Sequence, residues 1–453
     1  MPINSFLYPG AKVTPAYEVD NSCMFNDNDT AYMHKTPSSS WNQRTFTFST
    51  WWKQGDLASS SVLFASGEAD GDPNFAIYFS SSEQLNVLYY EGSSLLQLVT
   101  NAQYRDPSGW YHICVAIDTT QSTNTDRAKI YINGSQVTSL GTATNCNQNV
   151  DISINTSSYR MAIGAGVDNG DVADGYAAET VFIDGSALAQ TSFGEFDEDS
   201  PQIWKPVDVS GLTFGTNGFY LDYEDSSNLG NDKNGGTDLT EVNLAATAQS
   251  TDTCTVNYPV MNPLDAYWPT TNAVSVFSEG NLHLQSGTGS NSSTGYSYNN
   301  ATFTLSASKW YWEVKPTNLG GSSFIGIISE GQIYNQNLNE IANSVAYAWT
   351  IRENGNVRNN NANITCGSSY TTNDIIGVAL DLDNNKIYFS KNGDWADGSG
   401  SWGSSTFNAS TGAITITAPA SNGSGHYFPT VGASDYAQSS TFQLNFGSAP
   451  YTI

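Results

Sequence analysis

Apolar and polar residues alternate along this chain in short runs, and no stretch holds a helical period. Residues 45–52 (TFTFSTWW) alternate at period two, as a half-buried strand does. Residues 61–65, 75–80, 85–90 and 95–99 continue the series, each bounded by Gly, Ser, Asp or Pro. Residues 110–118 (WYHICVAID) place Tyr111, Ile113, Val115 and Ile117 on one face and His112 on the other. A histidine with no second histidine nearby reads as structural. Lys129 to Ile132 follow and end at Asn133-Gly134, a pair suited to the positive φ angles of a two-residue hairpin turn. The pattern predicts an all-β fold.

The second half repeats this device. Val378, Ala379, Leu380 and Asp381, then Lys386, Ile387, Tyr388 and Phe389, then Asn392-Gly393, echo Val115 to Asp118, Lys129 to Ile132 and Asn133-Gly134 with a shorter loop. Between the copies, a strand over 178–183 stops at Asp184-Gly185. No long period returns before Phe219, Tyr220, Leu221 and Tyr223, a short run ended by Asp225, Ser226, Ser227 and Asn228. Two sandwiches in tandem are therefore expected, over 15–190 and 270–453, joined by a connector over 191–269. Phe193, Trp204, Phe214, Phe219 and Tyr220 are too many rings for a solvated linker, so part of the connector should pack on the first sandwich or between the two.

Length agrees, because 453 residues exceed one ordinary core. Charged residues make up 13%, about half the usual share, so Ser, Thr, Asn and Gly carry the polar surface. Sixteen basic against 43 acidic residues give a net charge of −27. That field repels phosphate backbones and anionic leaflets, so no nucleic-acid partner and no membrane insertion are expected. The five cysteines, at 23, 114, 146, 254 and 366, form no Cys-x-x-Cys, and Cys114 reads as a small buried hydrophobe made in a reducing compartment. The N-terminus lacks a basic stretch followed by an apolar one, so a surface role is expected to be reached by assembly or lysis. Phe6, Leu7, Tyr8 and Pro9 make residues 1–14 an expected docking segment.

The run ETVFIDGSAL resembles the end of a laminin-G-like domain of the concanavalin A-like lectin/glucanase class, as do WYH and KIYING. KWYWEVKP at 309–316, FIGIISE at 324–330, YAWTIRENG at 347–355, NDIIGVALDLDNNKIYFSKNG at 373–393 and HYFPTVGAS at 426–434 resemble a SPRY domain and fall in that family's order. The loops at 335–344 and 398–405 depart from it. The connector, through SFGEFDED, Trp204-Lys205-Pro206 and TNGFYLDYEDSSNLGND, resembles that of virion proteins of marine, cyanophage-type bacteriophages. The resemblance implies two antiparallel β-sandwiches of jelly-roll type, localised in the virion. It further implies a tail or capsid fibre or decoration that partners other virion proteins, associates with copies of itself and meets a host-surface glycan or protein.

The glucanase class also raises catalysis. A strand bearing Glu-x-Asp-x-x-Glu supplies its carboxylate pair. Glu-x-Asp occurs at Glu18, Glu68 and Glu195, but Cys23, Pro73 and Ser200 stand where the second Glu belongs, so no enzyme is expected. The alternatives are a carbohydrate-active enzyme with an unrecognised pair and a cellular SPRY-type interaction module. Asp168, Asn169, Gly170, Asp171 and Asp174 form a rim loop of the kind in which laminin-G-like relatives sometimes hold calcium, against a reading as ordinary turn formers. Trp395 and Trp402, in the polar run GDWADGSGSWGSS, suggest a glycan platform, against a reading as indoles folded over the sheet edge.

Overall fold

The computed structural model describes residues 17–57, 59–267, 274–288, 297–320, 323–329, 346–433 and 439–448. The docking segment expected over 1–14 and the loop at 335–344 lie outside them. The fold is all-β, with every strand pair antiparallel, and it divides into two compact units, Met1–Tyr258 and Pro259–Ile453. Among the described residues no helix is long and apolar enough to cross a membrane.

In the first unit one sheet runs Ser135–Gln136, Ala128–Ile132, Tyr111–Asp118, Thr45–Gln54, Gly175–Asp184, Ser22–Phe25 and Gln249–Ser250. Facing it, a second sheet runs Leu140–Thr144, Ser94–Gln103, Gln84–Tyr90, Asn74–Phe79, Ser61–Gly67, Arg160–Ile163, Tyr32–Lys35 and Thr240–Val242. Period-two side chains from both meet in one core, where Phe48 stacks on Phe64 at 4.9 Å and Phe64 on Phe182 at 5.6 Å. Asn133 (φ 46°) and Gly134 (φ 77°) make the expected hairpin turn, a conformation in which glycine carries no steric penalty.

The segment after Leu188 is part of this fold. Phe219–Leu221 pairs with Gly175–Asp184, Thr240–Val242 with Tyr32–Lys35, and Gln249–Ser250 with Ser22–Phe25, so it extends both sheets. Phe182 stacks on Phe219 at 5.7 Å inside the main core. Phe193, Val209, Phe214 and Tyr220 pack over Cys114, Val181 and Ile183 on the opposite side of the first sheet. The strand at 111–118 is thus buried on both faces, which is why His112 and Cys114 are inaccessible. Full burial of Phe214, Phe219 and Tyr223 alone stabilises by roughly 5 to 9 kcal/mol, comparable to the whole stability of an ordinary domain.

A buried ion pair ties down the end of the segment. Lys53 Nζ lies 2.7 Å from Asp252 Oδ2 and donates to Asn257 Oδ1 at 2.8 Å and the Tyr258 carbonyl at 2.6 Å, with both charged side chains fully buried. Asp252 Oδ1 accepts from Trp110 Nε1 and the Tyr258 amide, so the desolvated carboxylate is paired and hydrogen-bonded.

The second unit faces a sheet of Met261–Tyr267, Ser297–Ala301, Phe428–Ala433, Ser323–Ile328, Ala348–Arg352, Asn356–Asn359 and Ala362–Thr365 against a longer one. The longer sheet runs Val274–Ser278, His283–Thr288, Ser440–Asn445, Lys309–Asn318, Ile376–Asp381, Lys386–Lys391, Asp394–Ala396 and Trp402–Ser404, with Ile414–Thr415 also on Lys386–Lys391. Its core gathers Trp312, Val314, Ile325, Ile327, Trp349, Val378, Phe389 and Phe442. The unit begins before residue 270, because Met261–Tyr267 is one of its strands.

Candidate functional site

The strand Asp394–Ala396 and its partner Trp402–Ser404 sit at one edge of the longer sheet, and the loops beside them are built from side-chain-capped turns. Asp397 Oδ1 accepts from the Ser399 amide at 2.7 Å and the Ser401 amide at 3.1 Å, and Oδ2 from Ser399 Oγ at 2.8 Å. These bonds, led by the Ser399 amide, hold the Asp397 carboxyl below the usual carboxylate range. Ser404 Oγ accepts from the Thr406 amide and Asn408 Oδ1 from the Ser410 amide. Gly412 (φ 68°) brings its backbone so close that a Cβ there would stand 2.0 Å from the Ala396 carbonyl. The turns enclose a cleft of about 260 Å³ lined in part by Trp395, Asp397, Ser404, Thr406, Asn408 and Thr411.

The two tryptophans have different surroundings. Successive strand residues point to opposite faces, and Ala396, buried in the core, pairs with Trp402. Trp402 accordingly packs on the core, over Gly367, where a Cβ would meet its ring at 2.5 Å, with the Lys391 ammonium 5.9 Å from the ring centroid. Trp395 faces the other way. Its ring lies 4.8 Å from Phe407, edge to face, and 6.1 Å from Tyr311, while Tyr388 meets Phe407 at 5.0 Å. The platform expected from Trp395 and Trp402 together is therefore not assembled, because strand alternation separates them. Trp395 instead joins Phe407, Tyr388 and, from far away in sequence, Tyr311.

Register explains the gathering. Tyr311 pairs with Ala379, Ala379 with Tyr388, and Ser390 with Trp395, so all reach the outer face of adjacent strands. Gly377 opens the space between, since a Cβ there would lie 2.7 Å from the Tyr311 hydroxyl. Tyr311 donates to Glu313 Oε1 at 2.8 Å and Tyr388 to the Ala409 carbonyl at 3.0 Å, which fixes both rings. Burial pushes both phenols up. Tyr311 and Phe407 remain 43% and 46% exposed, so the cluster is open to solvent.

The other candidates lie in the first unit. Asp168 Oδ1 accepts from the Gly170 amide, Asn169 (φ 67°) and Asp171 (φ 49°) turn the chain, and Asp174 is buried against Gly55. Among the described residues no group of three or more His, Cys, Asp or Glu side chains is placed to hold a metal ion. Glu195 and Asp197 both reach Lys205 Nζ, at 3.2 and 3.4 Å, and make ion pairs there. His112 donates or accepts at Ser49 Oγ at 2.9 Å under Trp51 and Trp204, and burial pushes its imidazole down to about 3.

One buried acid stands outside every Glu-x-Asp run of the sequence. Glu179 lies at a bulge in Gly175–Asp184 with φ 50°, is 6% exposed, and accepts from Tyr17 Oη at 3.1 Å and Tyr220 Oη at 2.8 Å. Burial raises its carboxyl to about 7. A raised acid suits general acid catalysis, but this one is enclosed beneath Tyr220 and held by two phenols, which fits a structural clasp. Its signal in sequence is the Glu inside an otherwise apolar strand.

Residues 27–191 match the profile of the concanavalin A-like lectin/glucanases superfamily, and residues 309–449 match the SPRY domain. The chain carries these two β-sandwich domains in tandem, the class of module that serves recognition. No curated protein matches the sequence. Among solved structures, the chain is similar to the SPRY domain of human HERC1, at 18% identity and TM-score 0.31 over 41% of this chain and 98% of that one. It is also similar to the heptameric SAP-like pentraxin from Limulus polyphemus, at 18% identity and TM-score 0.29 over 38% and 80% of the two chains.

Proposed function

We propose that this chain is a non-enzymatic virion protein of a bacteriophage, in a tail fibre, capsid fibre or decoration, that recognises a glycan or protein on the host surface. The observation that carries the recognition role is the open aromatic cleft at Trp395, where ring faces stand beside hydroxyl and amide groups. The virion role is supported by the resemblance of the connector. The net charge of −27 suits a soluble surface part of a particle and disfavours contact with packaged nucleic acid. Other virion proteins and further copies of this chain are its expected partners, with residues 1–14 as the docking segment.

Electron microscopy of particles labelled with an antibody to this chain tests the proposal. Labelled fibres or capsid surfaces support it, and uniformly unlabelled particles remove it. The glucanase alternative lacks the Glu-x-Asp-x-x-Glu strand in the sequence, and release of reducing sugar by the purified chain would revive it.

A further inference from the structure

We infer that the cleft at Trp395 is a binding site for a single uncharged sugar residue of a glycan, held against the Trp395 ring and hydrogen-bonded by the Ser404, Thr406, Thr411 and Asn408 side chains. This rests on the recognition reading above and narrows it to one unit, one surface and one ligand class.

Three observations carry it. First, the rings are positioned but not paired face to face. Trp395 meets Phe407 at 72° and Tyr311 at 53°, and Tyr388 meets Phe407 at 73°. Edge-to-face contacts hold the Trp395, Phe407 and Tyr388 rings in place, and the part of the Trp395 ring that lines the cleft is left for a flat, weakly polar partner, which the C–H face of a pyranose provides. Second, the polar lining suits hydroxyl groups. Asn408 Oδ1 is used by the Ser410 amide, which fixes the side chain so that its NH₂ group is the donor end. Ser404 Oγ accepts from the Thr406 amide, leaving its own O–H to donate. Third, size and charge limit the ligand. A cleft of about 260 Å³ falls below the ~300–1,000 Å³ typical of drug-sized ligands, which suits one ring and not an enclosed oligomer.

Asp397 is the charged side chain of the lining, ionised and engaged by its own turn. In a chain of net charge −27 it disfavours uronic, sialylated or phosphorylated sugars. The nearby Lys391 ammonium donates to the Ser369 carbonyl and lies over Trp402, on the core side.

The test is calorimetric titration of the full chain with methyl galactoside, methyl glucoside, N-acetylglucosamine and, as an acidic match, methyl galacturonide. At least one uncharged sugar should bind at one site per chain, and the galacturonide about tenfold or more weakly. Trp395→Ala and Asn408→Ala should each weaken binding about tenfold or more, while Trp41→Ala, at an exposed indole of the first unit, should leave it unchanged. Asn408 is exposed, so its variant keeps the test independent of any folding defect at Trp395. No binding of any uncharged sugar, binding indifferent to both variants, or capture of a host protein through Trp395 without sugar would overturn the inference. Sugar binding through Trp395 by a chain absent from particles keeps this inference and removes the virion reading. Labelled particles whose chain binds no sugar there do the reverse.

Discussion

In the first unit Tyr131 stands on the outer side of its sheet and packs against Phe193, Val209, Phe214 and Tyr220. In the second unit Tyr388, at the same place in the repeated Lys-Ile-Tyr run, meets the half-exposed Phe407 ring beside a cleft. The hairpins differ in register by two residues, Lys129 pairing with Ala116 and Lys386 with Asp381, which keeps both tyrosines on the outer face. The outer face is covered in the first unit by part of residues 189–258, whereas in the second the loop at 405–411 covers Tyr388, 5% exposed, and leaves Tyr311 and Phe407 43% and 46% exposed. Covering stabilises one sandwich, and in the other Tyr311 and Phe407 keep half-exposed rings beside the cleft on which the proposed recognition rests.

The largest effect expected from breaking this contrast comes from truncation. A fragment of residues 1–188 lacks the strands at 219–221, 240–242 and 249–250 and the rings of the outer layer, so it should lose cooperative unfolding, whereas 1–258 and 259–453 should each retain it in denaturant titrations. Equal midpoints for 1–188 and 1–258 would make the segment a tether.

Next in size is Asp252→Ala, which leaves Lys53 buried without its carboxylate and should destabilise the first unit by about 3–5 kcal/mol. The transition of the second unit should not move, and the double replacement Lys53→Met with Asp252→Leu should recover much of the loss. A uniform shift of both transitions would contradict this assignment.

A smaller effect concerns pH. Glu179 at about 7 and Asp184 at about 6 both sit above their ordinary values because of burial. The folded state binds these protons more tightly, so their contribution is complete below about pH 4 and is lost as pH rises to 7. His112, pushed down to about 3, acts in the opposite sense and costs stability as pH falls below about 6.5. Glu179→Gln should therefore raise the stability of the first unit at pH 8 by about 1–3 kcal/mol and leave it nearly unchanged at pH 4, measured by denaturation at the two values. The smallest effect is Phe407→Ala, which should shift the second unit by about 0.5 kcal/mol or less because the ring is half exposed.

The strands and hairpins were legible because alternation over six to ten residues and pairs such as Asn133-Gly134 and Asn392-Gly393 are local signals. The role of 191–258 was legible in its aromatic content but not in its pairing. Phe219–Leu221 and Gln249–Ser250 are too short to show a period, and Lys53 finds Asp252 across 199 residues. At the candidate site, the sequence pointed to Trp395 and did not separate it from Trp402, whose half-buried ring packs over the bare backbone of Gly367. Tyr311 carried no mark, because a cluster made by register across four strands leaves no trace in linear spacing, and Phe407 joins it from the loop after Trp402–Ser404.

Hydroxyl-radical footprinting of the intact chain, read by mass spectrometry, bears most directly on the contrast between a covered and an open outer face. Tyr311 and Phe407 should be modified readily, while Phe193, Phe214 and Tyr220, each 4% exposed or less, should be protected until the first unit unfolds. Comparable modification of the two sets in the native protein would show that the first sheet is not covered as described and would contradict the account.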